Sequence, residues 1–254
     1  LWEYRELIYF LTWRDIKVRY KQSVLGIMWA VINPFMSMVV YTIFFGTLAK
    51  IPSDGVPYPI FSYTALLPWI LFSSALSVAS RSMVSSGNMI SKVYFPRMIV
   101  PLASVMSSVV DFFIAFIILI GMMIFYNITP TIAILWLPPL ILLALISALG
   151  VGFWFSALMV RYRDVGYLMP FVTELWKFLT PVVYPASMIP EKWRLLYALN
   201  PMTGVVEGFR YALLGTTQSI SLPMILVSSG IAILVLISGL FYFRRMEKQF
   251  ADMI

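Results

Sequence analysis

Apolar residues fill this chain in long blocks rather than in narrow stripes. No charge interrupts Val24 to Ala49, Tyr58 to Ser80 or Ile132 to Val160. Met98 to Tyr126 holds one charge, Asp111, and Val165 to Tyr184 holds two, Glu174 and Lys177. A last run extends from Leu222 to Phe243. A helix needs about 20 mostly apolar residues to cross the hydrocarbon of a bilayer. The pattern therefore predicts an all-α membrane protein with six transmembrane helices, over residues 24–49, 58–80, 98–126, 132–160, 165–184 and 222–243. Residues 185–221 read differently. Their apolar pieces are short and broken by Pro190, Asn200-Pro201, Gly204 and Gly208, which suits two short re-entrant or interfacial helices with a turn at Asn200-Pro201.

Residues 1–22 carry a third pattern. At the helical angle, Trp2, Tyr9, Trp13, Ile16 and Tyr20 share one side, and Tyr4, Leu7, Leu11 and Val18 share the opposite one. Most charges lie between the two stripes, and Phe10 fits neither. This predicts an amphipathic interface helix, either a plain anchor or one that also packs on the membrane body. No linker or repeat divides the chain, so residues 1–254 read as a single transmembrane domain.

Composition supports a membrane protein. The chain is 61% hydrophobic and 11% charged, where soluble domains carry about 25% charged residues. The net charge of +7 could suit nucleic acid, but the cations sit between apolar runs and fit anionic headgroups and the positive-inside bias instead. With six spans, Arg5, Arg14, Lys17, Arg19, Lys21, Arg81, Lys92, Arg97, Arg161, Arg163, Arg244, Arg245 and Lys248 fall on one side, thirteen in all. Lys50, Lys192, Arg194 and Arg210, four residues, fall on the other. That asymmetry predicts both termini in the cytoplasm and puts the short helices outside, on the periplasmic face. The charged N-terminus shows no signal-peptide pattern.

The chemistry that is missing narrows the function. There is no Cys and no His, which removes thiolate and imidazole metal sites and Ser-His-Asp catalysis. No phosphate-binding loop of the G-x-x-x-x-G-K-[ST] type occurs. Asp54, Asp111 and Asp164 form no acidic set of the kind a membrane-embedded glycosyltransferase or flippase would need. The chain is thus expected to be no enzyme by itself, without metal or cofactor of its own. Glu174 and Lys177 are three apart and can pair on one helix face, as a self-neutralising packing pair or as part of a substrate path. Asp111 stands alone in its run, to be satisfied by Ser or Thr of a neighbouring span or by water, and so few intramembrane charges disfavour a proton relay. Aromatics make up 16% of the chain. Trp136, Trp193 and Tyr242 sit where an interface belt would place them. Trp29, Tyr41, Phe45, Trp176 and Tyr184 lie within spans, where they can pack helices or line a pore over which sugar rings slide. Between the second and third spans, polar Ser85, Ser86, Gly87 and Asn88 adjoin apolar Met89, Ile90, Val93 and Tyr94, a composition that suits a docking surface.

Four stretches, in order along nearly the whole chain, resemble the ABC-2 type transporter permeases of the polysaccharide-exporting branch. They are "RDIKVRYKQSVLGIMWAVINP" (Arg14 to Pro34), "NMISKVYFPRMIVP" (Asn88 to Pro101), "RYRDVGYLMP" (Arg161 to Pro170) and "LNPMTGVVEGFRYALLG" (Leu199 to Gly215). The O-antigen exporter permeases (Wzm-like) fit best, with teichoic acid and capsule exporter permeases as relatives. The resemblance implies a homodimer with a channel at its interface, two copies of a separate ATPase subunit that bind ATP and Mg, and a cargo of polysaccharide on undecaprenyl diphosphate. The cargo would pass from cytoplasm to periplasm across a bacterial inner membrane. It places glycan contacts on Trp29, Tyr41, Phe45, Trp176 and Tyr184. The lipid headgroup would meet Arg14, Lys17, Arg19 and Lys21, which positive-inside topology explains equally well. ATPase coupling falls on Asn88, Met89, Ile90, Lys92, Tyr94 and Arg97, and a cytoplasmic loop on Arg161, Arg163 and Asp164. The competing expectation is an ABC-2 permease for a small lipid or drug.

Overall fold

A computed structural model describes residues 2–21, 26–90, 92–93, 95–215, 222–247 and 250. Among these residues every regular element is helical. A single 3-10 turn leads into α1 (Arg5–Lys21), the arm. Helix α2 (Met28–Tyr41) continues as a wider π-helical stretch through Leu48. There follow α3 (Tyr58–Ser85), the one-turn α4 (Gly87–Ile90), α5 (Ile99–Phe125) and α6 (Leu137–Arg161), the last entered through a 3-10 stretch from Ile132. Then come α7 (Val165–Leu179), α8 (Glu191–Tyr197), α9 (Pro201–Leu214) and α10 (Leu222–Glu247).

Five helical stretches are long and apolar enough to cross a membrane: Met28–Leu48, Tyr58–Ser85, Ile99–Phe125, Ile132–Arg161 and Pro223–Glu247. They match five of the six expected spans, and α3 and α10 run several residues further than expected. Val24 and Leu25, at the expected start of the first span, lie outside the described residues. This is a multi-pass membrane protein.

The sixth expected span, residues 165–184, departs from the pattern. Helix α7 stops at Leu179 after 15 residues, about 22 Å and short of the roughly 30 Å hydrocarbon core. Pro181 lies two residues past its end and supplies no N–H to continue it. The chain nevertheless keeps its course. Trp176 packs on Phe72 with ring centroids 5.0 Å apart, and the Val183 carbonyl accepts a 2.7 Å hydrogen bond from Tyr58. Phe72 and Tyr58 are fourteen residues, about 21 Å, apart along α3. The last turn of α7 and the non-helical backbone from Thr180 to Val183 therefore run along this stretch of α3.

Helix α3 is the central post. It is buried along most of its length and is packed by α5, α6, α2, α9 and α7, as expected for a helix that is apolar all round. Helices α6 and α10 cross at Gly150 and Gly239. A methyl group added at Gly239 would lie 2.2 Å from the Gly150 carbonyl oxygen, so the two backbones touch, as small residues permit between membrane helices. At one end of the bundle Leu11 of the arm joins Met83, Ile90, Phe95, Ile99, Phe153 and Phe243 in a second apolar cluster. The arm is thus more than an anchor. Tyr4, Leu7 and Leu11 face the body while Tyr9, Phe10 and Trp13 stay exposed. Val18, which shares the stripe of Tyr4, Leu7 and Leu11, is also exposed, because the contact face turns toward Thr12, Asp15 and Arg19, which bond to α5.

The two short helices expected after the fifth run are present as α8 and α9, with the turn at Asn200-Pro201. Asn200 caps α9, its side chain accepting from the Met202 N–H at 3.1 Å. Pro201 through Arg210 are buried, with Gly204 against Ser228 and Gly208 against Leu140. Ser219, in the stretch that follows, lies outside the described residues.

Candidate functional site

Three groups of the expected site residues can be placed. The first surrounds the arm. Asp111 is not alone: Arg19 and the Tyr20 hydroxyl both donate to its carboxylate, and Arg19 also reaches Ser107 at 3.1 Å. One turn earlier Asp15 accepts from Ser104 at 3.0 Å, and Thr12 donates to the Ala103 carbonyl at 3.2 Å. These contacts form a polar ladder that fastens α1 along α5. Partial burial, and then the bond to Asp111, raise the Tyr20 hydroxyl above its ordinary range, so it remains a donor at physiological pH. Arg14 pairs with Asp15 at 2.8 Å and also points at the Met89 sulfur, 3.7 Å away. Lys17, over the Trp13 ring at 5.4 Å, and Lys21 are exposed.

Trp29, expected beside the other pore aromatics, lies elsewhere. It opens with Asn33 onto a cavity that Arg19, Tyr20 and Asp111 also line. The reason is position on the helix: Trp29 is twelve residues, about 18 Å, from Tyr41.

The second group faces the opposite half of α2. Tyr41 packs edge-on against Phe45 with centroids 5.7 Å apart, and the Lys177 ammonium sits 5.7 Å from the centre of the Tyr41 ring. Lys177 forms the expected ion pair with Glu174. The Trp176 indole N–H donates to Asn200 Oδ1 at 2.9 Å. The Tyr184 hydroxyl donates to the Phe178 carbonyl at 3.0 Å and lies 3.1 Å from the Tyr197 hydroxyl. Tyr41, Phe45, Trp176 and Tyr184 are therefore drawn to one side of the bundle, partly buried against the main core. Outside them an apolar face remains uncovered, with Phe44, Phe171, Leu175 and Phe178 exposed.

Residues missed in the sequence hold this face in place. Arg210 and Glu207 of α9 are almost fully buried and paired at 2.7 Å. Arg210 also donates to the carbonyls of Pro181 at 2.7 Å, Val182 at 2.8 Å and Tyr184 at 3.2 Å. Its guanidinium stacks 3.7 Å from the centre of the Phe61 ring. Asn200 donates to Thr180 Oγ1 at 2.8 Å. With Tyr58 on Val183, the carbonyls of Pro181 through Tyr184 are all satisfied by side chains. Non-helical backbone at membrane depth is tolerated only under such conditions. The sequence did carry a signal, since Glu207 and Arg210 stand three apart among uncharged residues just as Glu174 and Lys177 do.

The third group is the connection after α3. Asn88 and Lys92 are exposed, and Met89 is half-buried. Ile90 is buried in the second cluster, which removes it from any docking surface. Arg97 is turned inward: its backbone N–H donates to Glu247 Oε1 at 3.1 Å and its side chain to the Glu247 carbonyl. Tyr94 lies outside the described residues. Arg161 at the end of α6, and Arg163 and Asp164 in the turn before α7, are exposed. No group of three or more acidic residues that could hold a metal occurs among the described residues.

The sequence pattern of the ABC-2 type transporters matches residues 6–214. The chain belongs to that family. Among curated proteins it is similar to the O-antigen export system permease protein RfbA of Klebsiella pneumoniae, at 30% identity over 98% of this chain and 95% of that one. The protein of the same name in Myxococcus xanthus is 29% identical over 100% of this chain and 97% of its own. The polysialic acid transport protein KpsM of Escherichia coli is 21% identical over 79% of this chain and 78% of its own. The family match begins in the arm and ends with α9, so both the α1–α5 ladder and the clamp on the broken fifth run fall within it.

Proposed function

We propose that this ABC-2 family chain is the permease subunit of an exporter that carries an O-antigen-like polysaccharide on undecaprenyl diphosphate from cytoplasm to periplasm. The observation that carries the reading is similarity along nearly the full length to permeases named for O-antigen export. Two copies would meet across the uncovered face of α2 and α7, and the channel would run between them. Tyr41, Phe45, Trp176 and Tyr184 would offer weak ring-to-sugar contacts, because one tight site would stall a long cargo. The chain would sit in the bacterial inner membrane with both termini cytoplasmic. Its sixth crossing would be α7 completed by the clamped backbone of Thr180 to Tyr184, and α8 and α9 would cap the exit.

The energy would come from two copies of a separate ATPase that bind ATP and Mg. Asn88, Met89, Lys92 and Tyr94 would meet that subunit, with Arg97 as a strut to α10. Arg14, Lys17 and Lys21 would attract the diphosphate headgroup, while Arg19 is engaged by Asp111. Deletion of the gene, followed by complementation, tests the reading. The expected result is loss of surface glycan, lipid-linked glycan retained inside the cell, and co-purification of the tagged chain with an ATPase. Unchanged surface glycan, with altered sensitivity to small amphiphiles, would support the rival small-lipid or drug permease.

A further inference from the structure

A cavity of about 270 Å³ lies where the arm meets α2, α3 and α5. Arg19, Tyr20 and Asp111 form a polar wall, Asn33 and Ser74 add polar groups, and Trp29 joins an otherwise apolar lining that includes Leu67. The polar wall is already neutralised. Both Asp111 oxygens accept from the arm, one from Arg19 and one from Tyr20. Such a wall offers fixed hydrogen-bonding groups without a net charge, and suits a neutral polyol better than a free ion. Trp29 and Asn33 are one turn apart on α2 and share a face. Both are exposed, and neither side chain has a hydrogen-bond partner among the described residues. An indole face beside a free amide, opposite a buttressed carboxylate, matches a pyranose ring, which has an apolar C–H face and a rim of hydroxyls. The volume is small for a ligand site and fits a ring or two, not a chain. Exposed Lys17 and Lys21 belong to the same arm helix as Arg19 and Tyr20, and the exporter reading gives them to the diphosphate.

We propose that this pocket binds the first sugar of the cargo, the ring joined to the lipid diphosphate, and so selects the end of the glycan that enters. The proposal rests on the exporter reading above and adds a subsite to it, apart from the Tyr41–Tyr184 face. The test uses the chain with its ATPase partner in lipid nanodiscs and two probes: a short isoprenyl diphosphate bearing one N-acetylhexosamine, and the same isoprenyl diphosphate without sugar. Calorimetry should show the sugar-bearing probe binding about tenfold tighter or more, a margin that a few good hydrogen bonds supply. Asn33→Ala and Trp29→Leu should erase the margin while leaving the sugar-free probe unaffected, and Trp29→Phe should restore most of it by keeping an aromatic platform. Equal affinity of the two probes would overturn the proposal, as would a margin that survives Asn33→Ala and Trp29→Leu. Free N-acetylglucosamine binding as tightly as the lipid-linked probe would also overturn it, by detaching the site from the lipid junction. If glycan export in cells is intact while the sugar margin is absent, the subsite alone fails. If the gene deletion leaves export unchanged, the exporter reading itself fails.

Discussion

Arg210 donates to Glu207 at 2.7 Å, one turn back on the same helix, and both side chains are almost wholly buried. The pair does more than cancel charge, since Nη1 and Nη2 of the same guanidinium also donate to the carbonyls of Pro181, Val182 and Tyr184. The non-helical backbone after α7 is thereby held by a cation from a different helix. Removing one member of a buried pair typically costs about 3–5 kcal/mol. Arg210→Met should lower the melting temperature of the purified protein sharply, because it strands Glu207 and three carbonyls at once. The double change Arg210→Met with Glu207→Leu should recover part of the loss. Equal melting of Arg210→Met and the parent protein would show that the segment holds itself.

The aromatic face of α2 and α7 makes a separate prediction. Tyr41→Leu and Tyr184→Leu keep apolar bulk and remove ring faces and hydroxyls. Combined, they should cut surface display of long glycan several-fold while leaving assembly with the ATPase intact. Surface display can be followed by lectin binding at matched expression. Undiminished display from the double variant would reduce both rings to packing.

Docking of the arm can be measured directly, because the chain has no cysteine. Asp15 and Ser104 touch at 3.0 Å, so Asp15→Cys with Ser104→Cys should form a disulfide on mild oxidation. Adding Asp111→Asn withdraws the charge that holds Arg19 and should slow that cross-linking several-fold. In a double-mutant cycle on thermal stability, Arg19→Met and Asp111→Asn should couple by about 0.5–3 kcal/mol, the range for residues in contact. Full additivity would mean that the ladder does not depend on this pair.

The connection after α3 separates two kinds of failure. Met89→Asp places a charge on a half-buried residue at the surface of the second cluster. It should leave insertion intact but uncouple ATP hydrolysis from export. Ile90→Asp buries a charge in that cluster and should prevent folding instead. Normal export with Met89→Asp would remove this segment from the coupling path.

Much of the architecture was legible in the hydropathy. Five of the six apolar runs are single long helices close to the expected bounds, since a bilayer permits few other solutions for such a run. The arm and the turn at Asn200-Pro201 were legible for a similar reason: local periodicity and proline stereochemistry act over a few residues. The charge at Lys177 found its partner Glu174 because the two are neighbours on one helix.

What the tertiary structure alone decided depends on residues far apart in the chain. Asp111 looked solitary because its donors, Arg19 and Tyr20, lie about ninety residues earlier. The fifth run looked like one span because hydropathy measures apolar character and not helicity. Its break at Thr180 is tolerated only because Tyr58, Asn200 and Arg210 bring donors from other helices. Trp29 and Tyr41 occupy the same apolar run, yet they serve different ends of the molecule, because a rigid helix separates them by about 18 Å. Sequence composition determined the solvent of this protein and five of its long helices. Packing determined which polar groups meet, since in a low-dielectric interior each must find a partner wherever the fold places one.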